Sequence, residues 1–225
     1  MTQKSPVTLE TLQALPEMSV YITKADDSLK SIGYTEHSFP HITTVLERAA
    51  AILNMLDRPE REVELARVAG YMHDIGNIVN RHDHAQTSAV MAYHILDRLG
   101  MPPAEIADVI CAIGNHDEGT GLPINALAAA LIIADKSDVR RNRVRSPLLR
   151  ENDIHDRVNG AVDRAEFELD KAQKTITLSL TIDTEQCSVM EYFKIFLNRM
   201  QLCQNAAGFL KCQFRLVING AVMLG

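Results

Sequence analysis

The segment Ala69-Gly-Tyr-Met-His-Asp-Ile-Gly-Asn77 places a histidine and an aspartate side by side within an apolar stretch. These surroundings predict the interior of a helix. Adjacent residues on a helix do not face each other, so a shared third body best explains an imidazole at His73 beside a carboxylate at Asp74. We interpret that body as a metal ion.

The histidines are concentrated in one part of the chain. Of the eight histidines, seven lie between residues 37 and 116: His37, His41, His73, His82, His84, His94 and His116. Asp135 follows within the apolar run Leu131-Ile-Ile-Ala-Asp-Lys136. This grouping of imidazoles and carboxylates predicts a ligand set for a divalent metal.

The order of these motifs resembles the metal-dependent phosphohydrolases of the HD-domain superfamily, over roughly residues 30 to 145. Met72-His-Asp-Ile-Gly76 is similar to the signature doublet, and His41-Ile-Thr-Thr-Val45 to the first histidine motif. His84-Ala-Gln-Thr-Ser-Ala89 is similar to the short motif of two-metal members. Ile113-Gly-Asn-His116 resembles the later histidine, and Asp135 the closing aspartate.

The resemblance implies one or two divalent ions held by six residues: His41, His73, Asp74, His84, His116 and Asp135. It implies that Asp74 bridges the two ions and orients a metal-activated hydroxide. Imidazole and carboxylate ligands accept manganese, iron, magnesium, nickel and zinc, so the identity of the metal stays open. His82 is the alternative to His84 if the following helix begins later than the pattern indicates.

Two further segments bear on the substrate. Glu118-Gly-Thr-Gly-Leu-Pro123 is similar to a loop of the HD-GYP branch, which cleaves cyclic dinucleotides. The doubled histidine of that branch is absent here and its lysine is replaced by Asn77, which disfavours that substrate. The glycines equally suit a tight turn.

Basic residues follow the closing aspartate. Lys136 and Arg140 are predicted to bind the phosphate of a substrate, with Lys136 also neutralising charge in catalysis. The alternative for this basic run is a solvated helix end, where the helix dipole favours cations.

The composition is that of an ordinary globular protein. The chain has 225 residues, 46% of them hydrophobic, and a formal charge of −6, which disfavours nucleic acid and acidic membrane as partners. The four cysteines lack metal-ligand spacing, and no window predicts a signal peptide or a membrane span. We expect a cytoplasmic protein with reduced thiols.

The hydrophobic pattern predicts a mainly α fold in which an HD-type helical bundle precedes a small α+β unit. Five helices are predicted before residue 160, over 42–56, from residue 60 through the doublet, and over 87–99, 104–115 and 126–139. Inward-facing side chains of such a bundle can converge on one point.

After residue 160 the pattern alternates and predicts a β-β-α-β unit. Its strands are predicted over 166–170, 175–182 and 211–218, and its helix over 189–203. We therefore divide the chain into domains 1–160 and 161–225. The second is small enough that we expect it to dock on the first or to pair with another copy.

The sequence favours a hydrolase that cleaves a phosphoester of a nucleotide or other small phosphorylated substrate. A second hypothesis is an HD-type oxygenase, in which four histidines and two aspartates hold two irons and Tyr34 and Glu36 form a lid. A third is a sensor that binds a phosphorylated ligand without turnover. That role requires a damaged ligand set, whereas the set here is complete.

Overall fold

A computed structural model describes residues 6–145 and 154–225, with the backbone alone at 154–156. The described residues form nine α-helices and two short 3₁₀ helices. The α-helices are α1 (Leu9–Gln13), α2 (Pro16–Ser31), α3 (Phe39–Met55), α4 (Glu60–Met72), α5 (His84–Leu99), α6 (Pro103–Gly114), α7 (Ala126–Lys136), α8 (Ile154–Gly160) and α9 (Val189–Phe209). The 3₁₀ helices are Ile75–Ile78 and Arg141–Arg143.

The mainly α fold is confirmed, and helices α3 to α7 correspond to the five predicted ones. Helix α3 packs against both α4 and α7, while α5 packs on α6. Val45, Leu46, Ala49 and Ile52 on α3 are buried, because residues three and four apart share one face of a helix. The bundle core therefore lies between α3, α4 and α7.

Helix α7 occupies the centre of the molecule. Every residue from 127 to 134 on it is buried, and it contacts α3, α4, α6 and α9. A helix that is apolar all round must be covered on every side. Asp135 and Lys136 at its end are thus fixed by packing against four other helices.

The His73-Asp74 doublet lies at a helix end and not in a helix interior, which corrects the sequence prediction. Helix α4 ends at Met72, and Asp74 leaves helical geometry with φ −108° and ψ 2° before the 3₁₀ turn. The cause is close packing at Gly76, where a Cβ would overlap the carbonyl oxygen of His84 and lie 2.5 Å from the backbone nitrogen of Ser88. The break lets His73 and Asp74 face the same point.

The C-terminal sheet contains strands β1 (Val162–Asp170), β2 (Thr175–Ile182), β3 (Gln213–Ile218) and β4 (Ala221–Leu224), paired in that order. β1 and β2 are antiparallel, β2 and β3 are parallel across the α9 crossover, and β3 and β4 are antiparallel. The predicted β-β-α-β order is confirmed.

Strand β4 was not predicted. It follows a hairpin at Asn219 and Gly220, which adopt positive φ values of 49° and 80°. Asn-Gly is a strong hairpin signal, so this information was present in the sequence.

The two parts of the chain share one hydrophobic core. Helix α9 packs on α7 and on β3, and its Tyr192, Phe196 and Met200 are fully buried. The apolar cluster runs without interruption from the bundle into the sheet. The division into domains at residue 160 stays a prediction. No helix among the described residues combines the length and apolar character needed to span a membrane.

Candidate metal centre

Four buried histidine rings meet at the end of the bundle, and each is held through its Nδ1 atom. His73 Nδ1 donates to the Gly70 carbonyl at 2.7 Å, and His116 Nδ1 to the Ile113 carbonyl at 2.6 Å. Because a carbonyl oxygen only accepts, the proton must lie on Nδ1 in both rings. In the neutral ring, Nε2 is then the nitrogen that carries the lone pair.

The other two rings follow the same rule. His41 Nδ1 donates to Asp138 Oδ2 at 2.8 Å, and His84 Nδ1 lies 3.1 Å from the Arg81 carbonyl. Each contact sets both the orientation of the ring and the tautomer. All four histidines therefore direct Nε2 to one shared space, and in its neutral form each offers a lone pair there.

Asp74 lies at the middle of that space and divides it in two. Its Oδ2 is 3.3 Å from His73 Nε2 and 3.9 Å from His41 Nε2. Its Oδ1 is 3.4 Å from His84 Nε2 and 3.8 Å from His116 Nε2. Asp74 thus has one carboxylate oxygen in each half, and its role as a bridge between two ions stays a prediction.

Asp135 completes the group from α7. Its Oδ1 lies 3.4 Å from His41 Nε2, and its side chain is 12% exposed. The structure therefore brings together all six residues predicted as ligands. Possible ligand atoms form three overlapping groups, and the atoms within each group lie within 4.8 Å of one another. The groups are His41, His73 and Asp74; Asp74, His84 and His116; and His73, His116 and Asp135.

The cluster fits a bound metal. The Nε2 atoms of His41 and His73 are fully buried and have no hydrogen-bond partner. A buried polar atom without a partner is costly, and a metal ion would satisfy both nitrogens. His84 Nε2 and His116 Nε2 lie 3.2 Å apart. Two nitrogens that each lie about 2.1 Å from one ion have a separation of about 3 Å.

Charge in the cluster suits a cation. Burial alone would raise the pKa of Asp74, but the nearby His73 and His116 bring the pKa well below its ordinary value. Burial opposes ionisation of Asp135 in the same way, and Lys136 lowers its pKa well below the usual range. Burial lowers the pKa of His84 to about 4. At neutral pH the carboxylates are charged and His84 is neutral, as metal ligation requires.

The remaining histidines lie outside the cluster. His82 has 86% of its side chain exposed and pairs with Asp83, so His84 is the residue that reaches the site. His94 is exposed on α5. The centre of the His37 ring lies 5.2 Å from the centre of the His41 ring, and His37 borders a cavity next to the cluster. The side chain of His155 lies outside the described residues.

A cavity of about 430 Å³ opens onto the cluster. Asp74, His84, His116 and Asp135 form part of its wall, and residues 32–35 of the α2–α3 loop form another part. Four cations also line it: Arg81, Lys136, Arg143 and Arg199. Four carboxylates lie on the same wall, those of Asp74, Asp117, Glu118 and Asp135, so both signs of charge border the cavity.

Lys136 borders the cavity as expected. Its Nζ lies 2.7 Å from Asp135 Oδ2 and 3.9 Å from Asp117 Oδ1. Burial opposes its charge, but the Asp135 carboxylate raises the pKa of the ammonium group above its ordinary value. Lys136 is therefore protonated beside the cluster.

Arg140 is placed differently from the prediction. Its Nε and Nη2 donate to the two oxygens of Asp138, at 2.5 and 2.9 Å, and the cavity wall is formed by other residues. The reason is that the chain leaves helix α7 at Lys136, so Arg140 does not continue the helical face of Lys136. Arg140 contacts the carboxylate that holds His41.

Several residues of the cavity wall were not predicted from the sequence. Arg199 comes from α9 in the C-terminal unit and pairs with Glu118, with Nε to carboxylate distances of 2.7 and 2.9 Å. No local pattern indicates this long-range contact. Asp117 is adjacent to His116, and that adjacency was an available signal. Gly121 serves a tight turn, because a Cβ there would crowd the carbonyl of Asp117.

Part of the chain is similar to a known domain family. Residues 39–140 match the family model of the HD domain. It is 26% identical over 177 residues to the uncharacterized protein MJ1020 of Methanocaldococcus jannaschii, covering 68% of this chain and 67% of that protein. A crystal structure of a predicted HD superfamily hydrolase from an uncultured Thermotogales bacterium is 24% identical, with a TM-score of 0.42, covering 58% of this chain and 73% of that one.

Proposed function

We propose that this chain is a metal-dependent phosphohydrolase that cleaves the phosphoester of a small phosphorylated substrate, with nucleotides as the leading class. The observation that carries the proposal is the convergence of four Nε2 lone pairs on Asp74, beside a cavity lined by cations. The match of residues 39–140 to the family model of the HD domain supports it.

The chain offers ligands for two ions that share Asp74. One group is His41, His73, Asp74 and Asp135, and the other is Asp74, His84 and His116. Two such ions, when bound, lower the pKa of water to supply a nucleophile and stabilise charge on phosphoryl oxygens.

Asp74 is held rigidly for its part in this arrangement. Asn77 Nδ2 donates to Asp74 Oδ1 at 3.0 Å and to the Asp74 carbonyl at 2.9 Å. Both contacts are buried, so the carboxylate keeps one orientation. In the proposed reaction that carboxylate accepts a hydrogen bond from the attacking water and orients it toward phosphorus.

Lys136 acts on the substrate. Its protonated Nζ borders the cavity next to Asp135, where it would neutralise charge that develops on the phosphoryl group. Arg143 and Arg199 lie on the same wall, but each has a carboxylate partner: Asp138 lies 3.7 Å from Arg143 and Glu118 lies 2.7 Å from Arg199.

An HD-type di-iron oxygenase is the second candidate. It would use the same four histidines and two aspartates, and Tyr34 does border the cavity. Iron content together with substrate-dependent oxygen consumption would distinguish it from a hydrolase. Hydrolysis without consumption of oxygen would exclude this candidate.

The proposal is tested by metal analysis of the purified protein and a panel of phosphoesters and nucleotides, with and without chelator. We expect hydrolysis that the chelator removes and that Asp74→Asn abolishes, because this change keeps the side-chain volume but removes the bridging charge. His94→Ala is the matched control and should leave the rate nearly intact, since His94 is exposed on α5. Hydrolysis by Asp74→Asn at close to the wild-type rate would disprove the mechanism.

A further inference from the structure

Arg81 differs from the other cations of the cavity wall. No carboxylate lies within 4.0 Å of its guanidinium in the described part of the chain, whereas each of the others has one. The pairs are Lys136 with Asp135 at 2.7 Å, Arg199 with Glu118 at 2.7 Å and Arg143 with Asp138 at 3.7 Å. A half-buried guanidinium that lacks an anionic partner is a ready receptor for an anion from outside.

The contacts that Arg81 does make are weak. Its Nη1 lies 3.4 Å from Asn77 Oδ1 and 3.3 Å from His84 Nε2, and its Cζ lies 5.2 Å from the centre of the Tyr34 ring. The ring supports one face of the guanidinium plane. The group borders the cavity beside the histidine cluster.

The contact with His84 conflicts with metal binding at the same atom. A guanidinium only donates hydrogen bonds, and the neutral ring of His84 offers one lone pair at Nε2. A metal ion on Nε2 takes that lone pair and also repels the positive charge of Arg81. Arg81 must then find another acceptor, and an anion lying between the two positive charges would satisfy both.

We propose that Arg81 is the receptor for the phosphoryl oxygens of the substrate, and that metal binding releases it for this role. This inference rests on the proposed function, because it assigns a phosphorylated ligand to the same cavity. Metal occupancy at His84 turns Arg81 from a partner of the histidine into a partner of the phosphoryl group. Metal and phosphate therefore raise each other's affinity, since such coupling is reciprocal.

Arg81→Met tests the inference because it removes the charged fork and retains an unbranched apolar side chain that can pack on Tyr34. Calorimetric titration would measure Mn²⁺ binding to the metal-free protein and inorganic phosphate binding to the Mn²⁺-loaded protein. We expect phosphate affinity to fall about 10- to 100-fold, as for the loss of a charge-assisted hydrogen bond. Mn²⁺ affinity should rise about 2- to 10-fold, because the competitor at His84 Nε2 is gone.

Two further variants serve as controls. Arg98→Met removes an exposed arginine from α5, the helix that begins at His84. The affinities of this variant for Mn²⁺ and for phosphate should match those of the wild type. Arg81→Lys keeps the charge but loses the planar fork, so its phosphate affinity should lie between those of the wild type and Arg81→Met. Thermal melting would establish that each variant is folded.

Opposite changes in the two affinities are not expected from a merely structural residue. Wild-type phosphate affinity in Arg81→Met would overturn the inference, and so would a joint loss of metal and phosphate binding in a folded variant. Neither titration requires turnover. If the wild type hydrolysed no phosphoester while metal and phosphate binding stayed coupled through Arg81, the proposed function would be wrong. The assignment of Arg81 as a phosphate receptor would still hold.

Discussion

Asp138 orients the His41 ring, although Asp138 does not line the cavity. Its fully buried carboxylate accepts the Nδ1–H of His41 at 2.8 Å and is held by Arg140. Burial opposes its ionisation, but the hydrogen bond from His41 and the charge of Arg143 bring the pKa of Asp138 far below its ordinary value. A charged carboxylate behind a metal-binding imidazole fixes its tautomer and increases its basicity.

Asp138→Asn should therefore lower metal affinity about 10- to 100-fold, as is typical for the loss of such a partner. Titration of the metal-free protein with Mn²⁺ would measure the change. Asp97→Asn, on the exposed side of α5, is the control and should bind metal normally. Unchanged affinity in Asp138→Asn would show that the orientation of His41 does not depend on this charge.

The number of ions can be tested at His84 and His116, which face only one oxygen of Asp74. His84→Ala or His116→Ala should lower bound metal by about one ion per chain while the protein stays folded. Elemental analysis of dialysed protein measures the ratio. His82→Ala is a close control, because that side chain is 86% exposed. If either variant retained the full metal content, the substituted histidine would not be a metal ligand.

At the scale of elements, the junction between α4 and α5 positions His73, Asp74 and His84 of the site. Gly76 packs directly on the backbone of residues 84 and 88, and its N–H donates to Ser88 Oγ at 2.8 Å. The 3₁₀ turn and the start of α5 are thereby held together. Asp74 and His84 lie on the two sides of this contact. The short distance between the 3₁₀ turn and α5 therefore fixes the distance between these two residues.

Gly76→Ala should separate these two elements, because the clash is with backbone atoms that cannot rotate away. We expect a loss of about 1–3 kcal/mol in the free energy of unfolding, as for other overpacked positions, together with weaker metal binding. Urea denaturation would measure the stability. Gly208→Ala in α9 is the control: a Cβ there meets nothing within 4 Å, so stability should rise by roughly 0.5–1 kcal/mol. Equal stability of Gly76→Ala and wild type would contradict this packing argument.

At the scale of the whole molecule, the C-terminal unit contributes to the cavity. Helix α9 covers one side of α7 and supplies Arg199 to the wall, where the arginine pairs with Glu118 of the loop after His116. The expectation that this unit is a separate domain that docks on the bundle stays a prediction. Pairing with a second copy stays a prediction.

A chain that ends at residue 160 should be unstable, because it leaves an apolar face of α7 in water. We expect a large fall in melting temperature or aggregation, measured by circular dichroism and size-exclusion chromatography. The full-length protein with Arg199→Met is the control for the loss of Arg199 alone, and it should stay folded. If residues 1–160 melted at the temperature of the full chain, the bundle would be an independent domain.

The sequence by itself determined five helices of the bundle and the types of residue that cluster at the site. Helical periodicity depends on neighbours three and four residues apart, so the five helices of the bundle were predictable within a few residues at each end. The chemical identity of the six clustered residues was also readable, because few groups bind divalent metals and the order of these residues resembles a known family. The signal for β4 was local as well, in Asn219 and Gly220.

Only the tertiary structure decided how those residues meet. The helix break at His73 and Asp74 lies beside the close packing of Gly76 on α5. Of the four Nδ1 partners, Asp138 alone is distant in sequence, and it orients His41 toward Asp74. The roles of the cations were decided in the same way: Arg140 faces Asp138, while Arg81 and Arg199 border the cavity. Charge is visible in a sequence, but the partner of a charge depends on contacts between distant segments.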